Sequence, residues 1–537
     1  MILDYNAAQD LYVYRGPATA DVTKAAVNAG FEYSLPASRA NSTVFFSKSP
    51  FCALNFWDVA TVRARQQLAP IYERYTASWA KEWTGTRLTL PDDVELRPFQ
   101  SAGVDYLLRE ANGLSGDQPG LGKTMQAIVA ANEMRARRIL IVCPAAVRSQ
   151  WVRQIGVWGT GDTRVYVIEK ASHGVSPLAR WTVVSYDLLR GVLLPSLLIG
   201  GWDMVVLDEA HYLKTPTAER TRAAFGGTSY EMGEDDKLHR RELKGVTHSA
   251  AKVIALSGTP LPNRPNEAYT LARALDWGSI DYMSHEAFKS RFNPNGIGWE
   301  TTKHLDELHA RLRASFMVRR MKRDVLTQLP QVQFELVAVD GDGAVRAAVK
   351  RETMLDLKVV DGAVDANFDG AISTVRREMG VAMAPHVSAY VVNLLEGGVD
   401  KLVLFGWHKE VLDMWQTDLE KKDYQTVRID GTTSMLARDV ARTTFISDPK
   451  CRVILGNLMA LGVGVDGLQE VCSTAVLGEQ SWVPGDNEQA IDRLNRMGQT
   501  EGVRAIFLTA EGSISEKIVR DMVRKANTVH ETLDKKR

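Results

Sequence analysis

One stretch decides the fold: Ser115-Gly116-Asp117-Gln118-Pro119-Gly120-Leu121-Gly122-Lys123-Thr124, which leads into a helix-forming run over residues 125–131. Its glycines allow the backbone to turn tightly, so that several N–H groups point at one anion, and the N-terminus of the following helix adds about half a positive charge. We expect Lys123 to reach the outer phosphates of a nucleotide and the Thr124 hydroxyl to ligate magnesium. The strict phosphate-loop spacing has glycine where this chain has Asp117, so the match is incomplete and an ordinary turn remains an alternative.

A second element decides between these alternatives: Trp202-Asp203-Met204-Val205-Val206-Leu207-Asp208-Glu209-Ala210-His211. Residues 204–207 form a short apolar run, which is typical of a buried parallel strand. The two carboxylates that follow would lie at the carboxyl edge of the sheet, where open α/β sheets bind their ligands. There Asp208 can hold magnesium through water, and Glu209 can orient and deprotonate the attacking water. Either element alone is common, but both together in this order favour ATP hydrolysis.

Length and composition indicate a globular chain of two or three domains, because 537 residues exceed what one hydrophobic core usually organises. The hydrophobic fraction of 45% and the charged fraction of 24% are ordinary, and a net charge of zero means that any nucleic-acid site must be a local patch. Cys52, Cys143, Cys451 and Cys472 form no close pairs, so neither a zinc site nor a disulfide framework is indicated. Because no signal pattern or membrane-length apolar stretch is found, we expect a soluble protein of the cytoplasm, or of the nucleus if the source is eukaryotic, with no membrane partner.

Residues 1–95 are predicted to form a small α/β unit. Its predicted strands are residues 11–14 and 43–46, and its predicted helices are residues 22–29, 50–57 and 63–83. The unit contains no recognisable catalytic constellation. Its aromatic residues are interpreted as core rather than as a base-stacking surface.

From residue 96 the chain alternates between strand and helix patterns, which predicts a parallel sheet. Its predicted strands include residues 139–143, 181–185 and 252–256. Gln100 lies ahead of the phosphate loop and offers a side-chain amide that can pair with both a donor and an acceptor of adenine.

Two polar stretches of this region do not follow the alternation of strand and helix. Residues 226–249 are turn-rich and mixed in charge, so we interpret them as a mobile surface insertion. Residues 311–323 are the most basic stretch and look like a helix that leaves the first lobe. Contact with phosphate and a solvated helix face are equally compatible with that pattern.

A second alternating region begins near residue 385. Its predicted strands are residues 401–406, 426–431, 452–456, 475–478 and 504–508. Arg493 and Arg496 are spaced so that they would share one face of a helix. Two guanidinium groups on one face suit a polyphosphate clamp, and an arginine at the γ-phosphate stabilises transition-state charge. A pair of surface salt bridges is the alternative.

The motifs over residues 96–530 resemble those of the helicase superfamily-two ATPases, and within them the Swi/Snf-type DNA translocases. The motifs that carry the resemblance are Leu96–Gln100, Gly120–Thr124, Cys143-Pro144, Ser149-Gln150-Trp151, Asp208–His211 with Lys214, Ser257–Pro260, Ile429-Asp430-Gly431, Ala460–Gly464, Trp482 and Gln489–Gln499. Residues 211–214, 264–269 and 319–326 look closest to the fork-remodelling annealing-helicase branch.

The resemblance implies an α/β fold of the P-loop NTPase type. Two RecA-like parallel-sheet lobes, residues 96–330 and 331–537, would follow the small domain of residues 1–95. The two lobes would hold ATP and Mg²⁺ between them. The implied catalytic residues are Lys123, Glu209, Arg493 and Arg496, and the implied magnesium ligands are Thr124 and Asp208. The implied nucleotide contacts are Arg97, Gln100, Asp117, Gly120, Gly122, Lys123, Thr124, Gly464 and Gln489. The implied DNA contacts are Pro144, Ser185, His408, Gly431, Asn457 and Trp482.

The function that the resemblance implies is that of a DNA-dependent ATPase, acting as a monomer, which moves along double-stranded or branched DNA and remodels forks by annealing, regression or branch migration. Displacement of proteins such as a stalled polymerase from duplex DNA is an alternative use of the same motor. A non-hydrolysing nucleotide-dependent clamp is an alternative of another class, against which the intact Glu209 and Arg496 argue.

The chain departs from the family pattern at several positions. Asp117-Gln118-Pro119 stands where the family reads Asp-Glu-Met or Asp-Asp-Met, and Asn457-Leu458-Met459, Leu461 and Asn495 replace its usual small, glycine and histidine residues. The hydrolytic residues are intact, so the departures concern mainly the DNA contacts of the second lobe. Without a histone-binding module, we expect a compact bacterial or phage enzyme, whose residues 1–95 would be a reduced relative of that branch's DNA-structure-recognition domain.

Overall fold

The computed structural model describes residues 1–35, 37–38, 41–232, 238–261, 265–294, 302–326, 328–329, 332–354, 369–462, 465–481, 484–517 and 519–520. In chain order the described strands are β1 (Ile2–Asn6), β2 (Leu11–Pro17), β3 (Glu32–Tyr33), β4 (Ser42–Ser47), β5 (Gly113–Ser115), β6 (Ile139–Cys143), β7 (Val165–Ile168), β8 (Trp181–Ser185), β9 (Trp202–Asp208), β10 (Gly227–Met232), β11 (Leu238–Leu243), β12 (Ala250–Leu256), β13 (Met317–Val318), β14 (Gln333–Val339), β15 (Leu402–Gly406), β16 (Gln425–Ile429), β17 (Cys451–Asn457), β18 (Thr474–Leu477) and β19 (Arg504–Ala510). The described α-helices are α1 (Ala20–Asn28), α2 (Pro50–Leu54), α3 (Val62–Ala77), α4 (Pro98–Arg109), α5 (Lys123–Glu133), α6 (Arg148–Trp158), α7 (Leu194–Leu198), α8 (Glu219–Phe225), α9 (Ala268–Asp276), α10 (His285–Phe292), α11 (Leu305–Arg313), α12 (Lys322–Val325), α13 (Gly343–Met354), α14 (Asp369–Glu396), α15 (Lys409–Glu420), α16 (Met435–Ser447), α17 (Leu458–Leu461) and α18 (Pro484–Ile491).

The N-terminal unit is built on an antiparallel sheet with the strand order β1-β2-β4-β3. Residues of α1, α2 and α3 pack into the same core as this sheet. Tyr14, Phe31 and Phe45 are at most 2% exposed in that core, and the rings of Tyr14 and Phe56 stack with their centroids 4.0 Å apart. The prediction that the aromatic residues of this unit form its core is confirmed for these side chains.

Helix α3 is shorter than the predicted helix over residues 63–83, because it ends at Ala77. The Ser78 hydroxyl donates to the Tyr75 carbonyl, with 2.6 Å between the two oxygens, and so closes the last turn. The centroid of the Trp79 ring then lies 3.4 Å from the guanidinium carbon of Arg313. This cation–π contact holds the segment after the helix against the first lobe.

The first lobe contains seven parallel strands in the order β13-β5-β12-β9-β6-β8-β7. Side chains alternate between its two faces, so that along β6 Ile139 and Ile141 enter one core while Leu140 and Val142 enter the other. Helices cover both faces, which is the predicted α/β arrangement. Leu256 of β12 pairs with Ser115 of β5 on one side and with Asp208 of β9 on the other. The phosphate loop, Ser257 and Glu209 therefore leave three adjacent strands side by side.

The second lobe contains six parallel strands in the order β14-β19-β18-β15-β17-β16. Residues of α13, α14 and α15 pack against one face of this sheet, and residues of α16, α17 and α18 pack against the other. Its predicted strands correspond to β15 to β19, whereas β14 at the sheet edge was not predicted. The domain boundaries placed between residues 95 and 96 and between 330 and 331 stay predictions. None of the described helices is long and apolar enough to cross a membrane.

The polar stretch of residues 226–249 contains two strands that were not predicted. Its residues Gly227–Met232 and Leu238–Leu243 pair as the antiparallel hairpin β10–β11. The ladder satisfies backbone groups that a surface loop would leave to water. The stretch that was interpreted as a mobile surface insertion therefore contains a β-hairpin, and residues 233–237 lie outside the described ranges.

The basic stretch of residues 311–323 is buried except at its end, where Arg323 is exposed. Arg311, Arg313, Arg319, Arg320 and Lys322 are each at most 6% exposed, so the solvated helix face was the wrong interpretation. Buried cations require anionic or carbonyl partners, and the protein supplies them itself. One example is the Arg311 guanidinium, which donates to the Glu307 carboxylate at 2.8 Å.

Candidate nucleotide-hydrolysis site

The phosphate loop connects the end of β5 with the start of α5. Gly120 and Gly122 have φ angles of +85° and +86°, in the left-handed region that favours glycine. A β-carbon on Gly120 would also lie 2.8 Å from the β-carbon of Arg496, which belongs to the second lobe. The loop therefore requires glycine at both positions for conformation and, at Gly120, for close approach.

Lys123 is the first residue of α5, and its ammonium donates to the Asp117 carbonyl at 2.8 Å. Burial lowers the pKa of this lysine, while the carboxylates of Glu209, Asp117 and Asp208 act in the opposite direction. The adjacent Thr124 lies in the same first helical turn and is partly buried. The loop thus holds one cation and one hydroxyl at a helix N-terminus, a combination that favours a bound anion.

Asp117 was predicted to contact the nucleotide, and the structure places its side chain elsewhere. It is 0% exposed, and its Oδ2 lies 2.5 Å from Nη2 of Arg320. Its Oδ1 accepts from the Arg320 backbone N–H at 2.9 Å. The carboxylate is neutralised inside the lobe and holds the loop, and contact of Asp117 with a nucleotide stays a prediction.

Gln100 supports the phosphate loop from the start of α4. Its Oε1 accepts from the Arg97 backbone N–H at 2.9 Å, and its Nε2 donates to the Leu121 carbonyl at 3.2 Å. The side chain is 2% exposed, and Arg97 itself is exposed. Contact of Gln100 and Arg97 with a nucleotide stays a prediction.

Two carboxylates lie at the carboxyl end of β9. Asp208 Oδ2 accepts from the Trp151 indole N–H at 2.8 Å, and the Tyr186 hydroxyl donates to the Asp208 carbonyl at 2.7 Å. Burial, together with the neighbouring Glu209 carboxylate, raises the pKa of Asp208 to about 6. The Trp151 hydrogen bond and the charge of Lys123 act in the opposite direction.

Glu209 adopts φ +51° and ψ 52°, a left-handed conformation that is costly for a residue with a side chain. Its Oε2 lies 3.3 Å from Nδ1 of His211, and the same nitrogen lies 3.1 Å from the Ser257 hydroxyl. Burial acts to raise the pKa of Glu209, but His211, Lys123 and Arg493 outweigh it and hold that pKa below its ordinary value. Glu209 is therefore ionised and able to accept a proton.

The donors at this edge fit a magnesium ion. Among the described residues, no three His, Cys, Asp or Glu side chains come together as a metal cage. Magnesium does not need one, because it usually binds through one or two protein oxygens together with substrate phosphates and water. The Asp208 carboxylate at the end of β9 and the Thr124 hydroxyl at the start of α5 are oxygen donors of this kind.

Residues of the second lobe reach this edge. The Gln489 amide, on α18, donates to Glu209 Oε1 at 2.7 Å. Arg493 is 7% exposed, and its Nε donates to the Gly462 carbonyl at 2.6 Å. Burial, with the charge of Arg496, lowers its pKa to about 10. A pair of surface salt bridges is therefore the wrong interpretation of Arg493.

Sequence reasoning missed Asp466. Its Oδ1 lies 3.5 Å from Nη1 of Arg493 and also accepts from Nη1 of Arg496. Burial acts to raise the pKa of Asp466, but the two arginines lower it below its ordinary value. An acidic residue just beyond the glycine turn of the second lobe was the only signal available in the sequence.

The predicted DNA contacts are not all at the surface. Pro144 and Ser185 are buried at the ends of β6 and β8, and their contact with DNA stays a prediction. His408 Nδ1 lies 2.7 Å from Glu479 Oε1, and Asn457 caps α17 by accepting from the Met459 N–H at 3.0 Å. Gly431 is exposed after β16.

Two predicted site residues, Gly464 and Trp482, lie outside the described residues. Gly464 was predicted to contact the nucleotide and Trp482 to contact DNA.

A model of the SNF2-related domain matches residues 68–228 and 234–361, which together make up more than half of the chain. A relative from Xenopus laevis, the SWI/SNF-related matrix-associated actin-dependent regulator of chromatin subfamily A-like protein 1, is 30% identical over 84% of this chain and 46% of its own. A relative from Mus musculus, the DNA annealing helicase and endonuclease ZRANB3, is 29% identical over 83% of this chain and 41% of its own. The chain thus spans less than half the length of these two relatives.

The solved SWI2/SNF2 ATPase core of Sulfolobus solfataricus in complex with dsDNA matches at 19% identity with a TM-score of 0.39, covering 83% of this chain and 94% of that one.

Proposed function

The chain belongs to the family of SNF2-related domains, and from this premise we propose that it is a DNA-dependent ATPase that moves along DNA. ATP binds between the two lobes and is hydrolysed there. Closing on ATP and reopening after hydrolysis carries the lobes along one strand of a duplex, which they hold by its phosphates rather than its bases.

One contact supports this proposal most directly: the hydrogen bond from Gln489 of the second lobe to Glu209 of the first. It brings the proposed arginine segment to the same edge as the phosphate loop. The approach of Arg496 to Gly120 supports the same placement. A hydrolysis site shared between two lobes can be assembled by closure and taken apart by opening, which is what a motor requires.

Each group then has a task in the reaction. Lys123 binds the outer phosphates, and Thr124 and Asp208 would hold magnesium, which when bound supplies positive charge to the phosphates. Glu209 takes the proton of the attacking water, since it is ionised and its position is fixed by Gln489 and His211. Arg496, with Arg493 beside it, stabilises the charge that develops on the γ-phosphate.

We propose forked or branched DNA as the substrate and annealing of complementary strands as the work done. The support is the likeness to a relative that is named a DNA annealing helicase, which covers 83% of this chain. The exposed Gly431, and the carboxyl edge of the second lobe around it, offer a surface for the strand.

The test compares phosphate release without DNA and with single-stranded, duplex and forked DNA of equal length. We expect little release without DNA and the fastest release with duplex or fork. A labelled fork whose arms carry a donor and an acceptor dye then reports annealing. Release that does not respond to any DNA would contradict the proposal, and ATP-dependent DNA binding without release would favour a clamp instead.

A further inference from the structure

The residues Arg319–Lys322, which we call the strap, run beside the phosphate loop after β13. The Gly116 N–H donates to the Val318 carbonyl at 2.7 Å, and the Gln118 N–H donates to the Arg320 carbonyl at 3.1 Å. The Lys322 N–H in turn donates to the Gln118 side-chain oxygen at 2.6 Å. The strap therefore lies along the phosphate loop as a neighbouring strand would.

Two buried arginines strengthen this attachment. The Arg319 guanidinium donates to the carbonyls of Gly116 at 2.5 Å and Gly258 at 3.0 Å. The Arg320 guanidinium pairs with the Asp117 carboxylate at 2.5 Å. Because both side chains are at most 3% exposed, separating the strap from the loop would leave buried charges without partners, which is costly.

Lys322 is the member of the strap that crosses to the second lobe. Its ammonium donates to the Asp492 carboxylate and to the Asn495 carbonyl. Asp492 precedes Arg493, and Asn495 precedes Arg496, so the lysine holds the backbone of the segment that carries both arginines. The side chains of Lys322 and Asp492 are only 8% and 17% exposed, so water screens this pair little.

We propose that Lys322 is a positioning residue of the hydrolysis site, which links the position of the phosphate loop to that of the segment bearing Arg493 and Arg496. This inference rests on the proposed function, because it concerns turnover at the same site. When a triphosphate settles in the loop, the strap follows, and Lys322 sets where the two arginines lie. ATP binding itself depends on first-lobe groups that Lys322 does not supply.

The test is Lys322→Gln, which keeps a polar side chain but removes the charge. Phosphate release is measured against ATP concentration with saturating duplex DNA. We expect kcat to fall roughly ten- to a hundredfold, because small misplacements of catalytic groups cost that much. The KM for ATP should stay within about twofold, since first-lobe binding is kept.

Two further variants separate positioning from a general structural role. Lys322→Arg should retain most of the parent kcat, because a guanidinium can donate to the same two acceptors. Asp492→Asn should also lower kcat, by no more than Lys322→Gln does, because the lysine keeps its bond to the Asn495 carbonyl. The double variant should be no slower than the slower single one, since both changes remove the pair of Lys322 with Asp492. If Lys322→Gln does not fold, Asp492→Asn together with Lys322→Arg carries the test.

The matched control is Lys81→Gln. Lys81 lies 3.8 Å from Asp324, just past the strap, and its side chain is 47% exposed. Lys81→Gln should have the same kcat as the parent.

The inference would be overturned if the kcat of Lys322→Gln were within about twofold of that of the parent. It would also be overturned if the effects of Lys322→Gln and Asp492→Asn on kcat were independent. Neither result would affect the proposed function, which depends on stimulation of the parent's phosphate release by DNA. A parent whose phosphate release DNA does not stimulate would contradict the proposed function instead.

Discussion

The Arg496 guanidinium donates to the Asp466 carboxylate, while the backbone of Arg496 lies against the phosphate loop. A β-carbon on Gly120 would lie 3.4 Å from the α-carbon of Arg496. The lobes thus touch at the loop, but the arginine charge is satisfied by a carboxylate of its own lobe. For Arg496 to act on a γ-phosphate, its side chain must leave Asp466. Approach of the lobes and engagement of the arginine are therefore two separate events.

Lys123→Ala should reduce DNA-stimulated hydrolysis roughly a hundredfold or more, because it removes a preorganised donor to developing charge. The fold should be little affected, since the ammonium contacts a single backbone carbonyl, that of Asp117, among its described hydrogen bonds. The measurement is phosphate release at saturating duplex DNA, with the thermal midpoint as a check on folding. Lys170→Ala, at an exposed position of the same lobe, is the control. If Lys123→Ala hydrolyses ATP nearly as fast as the parent, the assignment of this loop to the hydrolysis site is wrong.

Glu209→Gln should bind ATP but fail to hydrolyse it. The amide keeps the shape of the side chain and can still bond to Gln489, yet it cannot take a proton. Nucleotide affinity is measured with a fluorescent ATP analogue and compared with phosphate release. Glu219→Gln, on the exposed side of the same lobe, should change neither quantity. Equal loss of binding and turnover would make Glu209 a structural residue.

The sequence predicted the fold where its patterns are local. Apolar runs between turn residues located β6, β8, β9 and β12 of the first lobe, because buried parallel strands read as continuous apolar segments. Strand β13 has only two residues, too few for any periodicity, and it exists because β5 lies beside it. Edge strand β14 was missed although its last four residues, 336–339, are apolar. Its burial alternates, with Phe334 57% exposed, as expected of an edge strand.

For the candidate site too, the sequence predicted the residues of local motifs but not the pairs that are distant in the chain. Local motifs identified Lys123, Asp208 and Glu209, and the resemblance to Swi/Snf-type proteins is confirmed by the match to the SNF2-related domain. The predicted bacterial or phage origin stays a prediction. The contact between Gln489 and Glu209 joins residues 280 positions apart, and that between Asp117 and Arg320 joins residues 203 positions apart. Motif spacing cannot give such pairs, which is why the pairing of Asp117 with Arg320 was not predicted and Asp466 was missed.

Asp117→Asn should lower the stability of the first lobe by about 3–5 kcal/mol, because it leaves the Arg320 guanidinium buried without its counter-charge. Both side chains are at most 1% exposed, so solvent cannot replace the lost partner. Urea unfolding followed by tryptophan fluorescence gives the change. Glu410→Gln removes one partner of the exposed pair with Arg377 and should have far less effect. Equal midpoints for Asp117→Asn and the parent would mean that the buried pair does not hold the loop.

Arg496→Ala should leave ATP affinity little changed but lower DNA-stimulated turnover roughly a thousandfold, because an arginine at the γ-phosphate contributes mainly in the transition state. Its backbone contact with Gly120 survives the change, so lobe approach is kept while the charge is lost. Arg493 lies near the same carboxylate, Asp466, and is expected to substitute in part for Arg496, so the double variant should be slower still.

Turnover is measured against ATP concentration with and without duplex DNA. Arg504→Ala, at the start of β19, removes an arginine paired with Glu335 and should behave like the parent. If Arg496→Ala turns over within about twofold of the parent while it still binds DNA, the arginine has no part in the chemical step and the two-lobe mechanism is wrong.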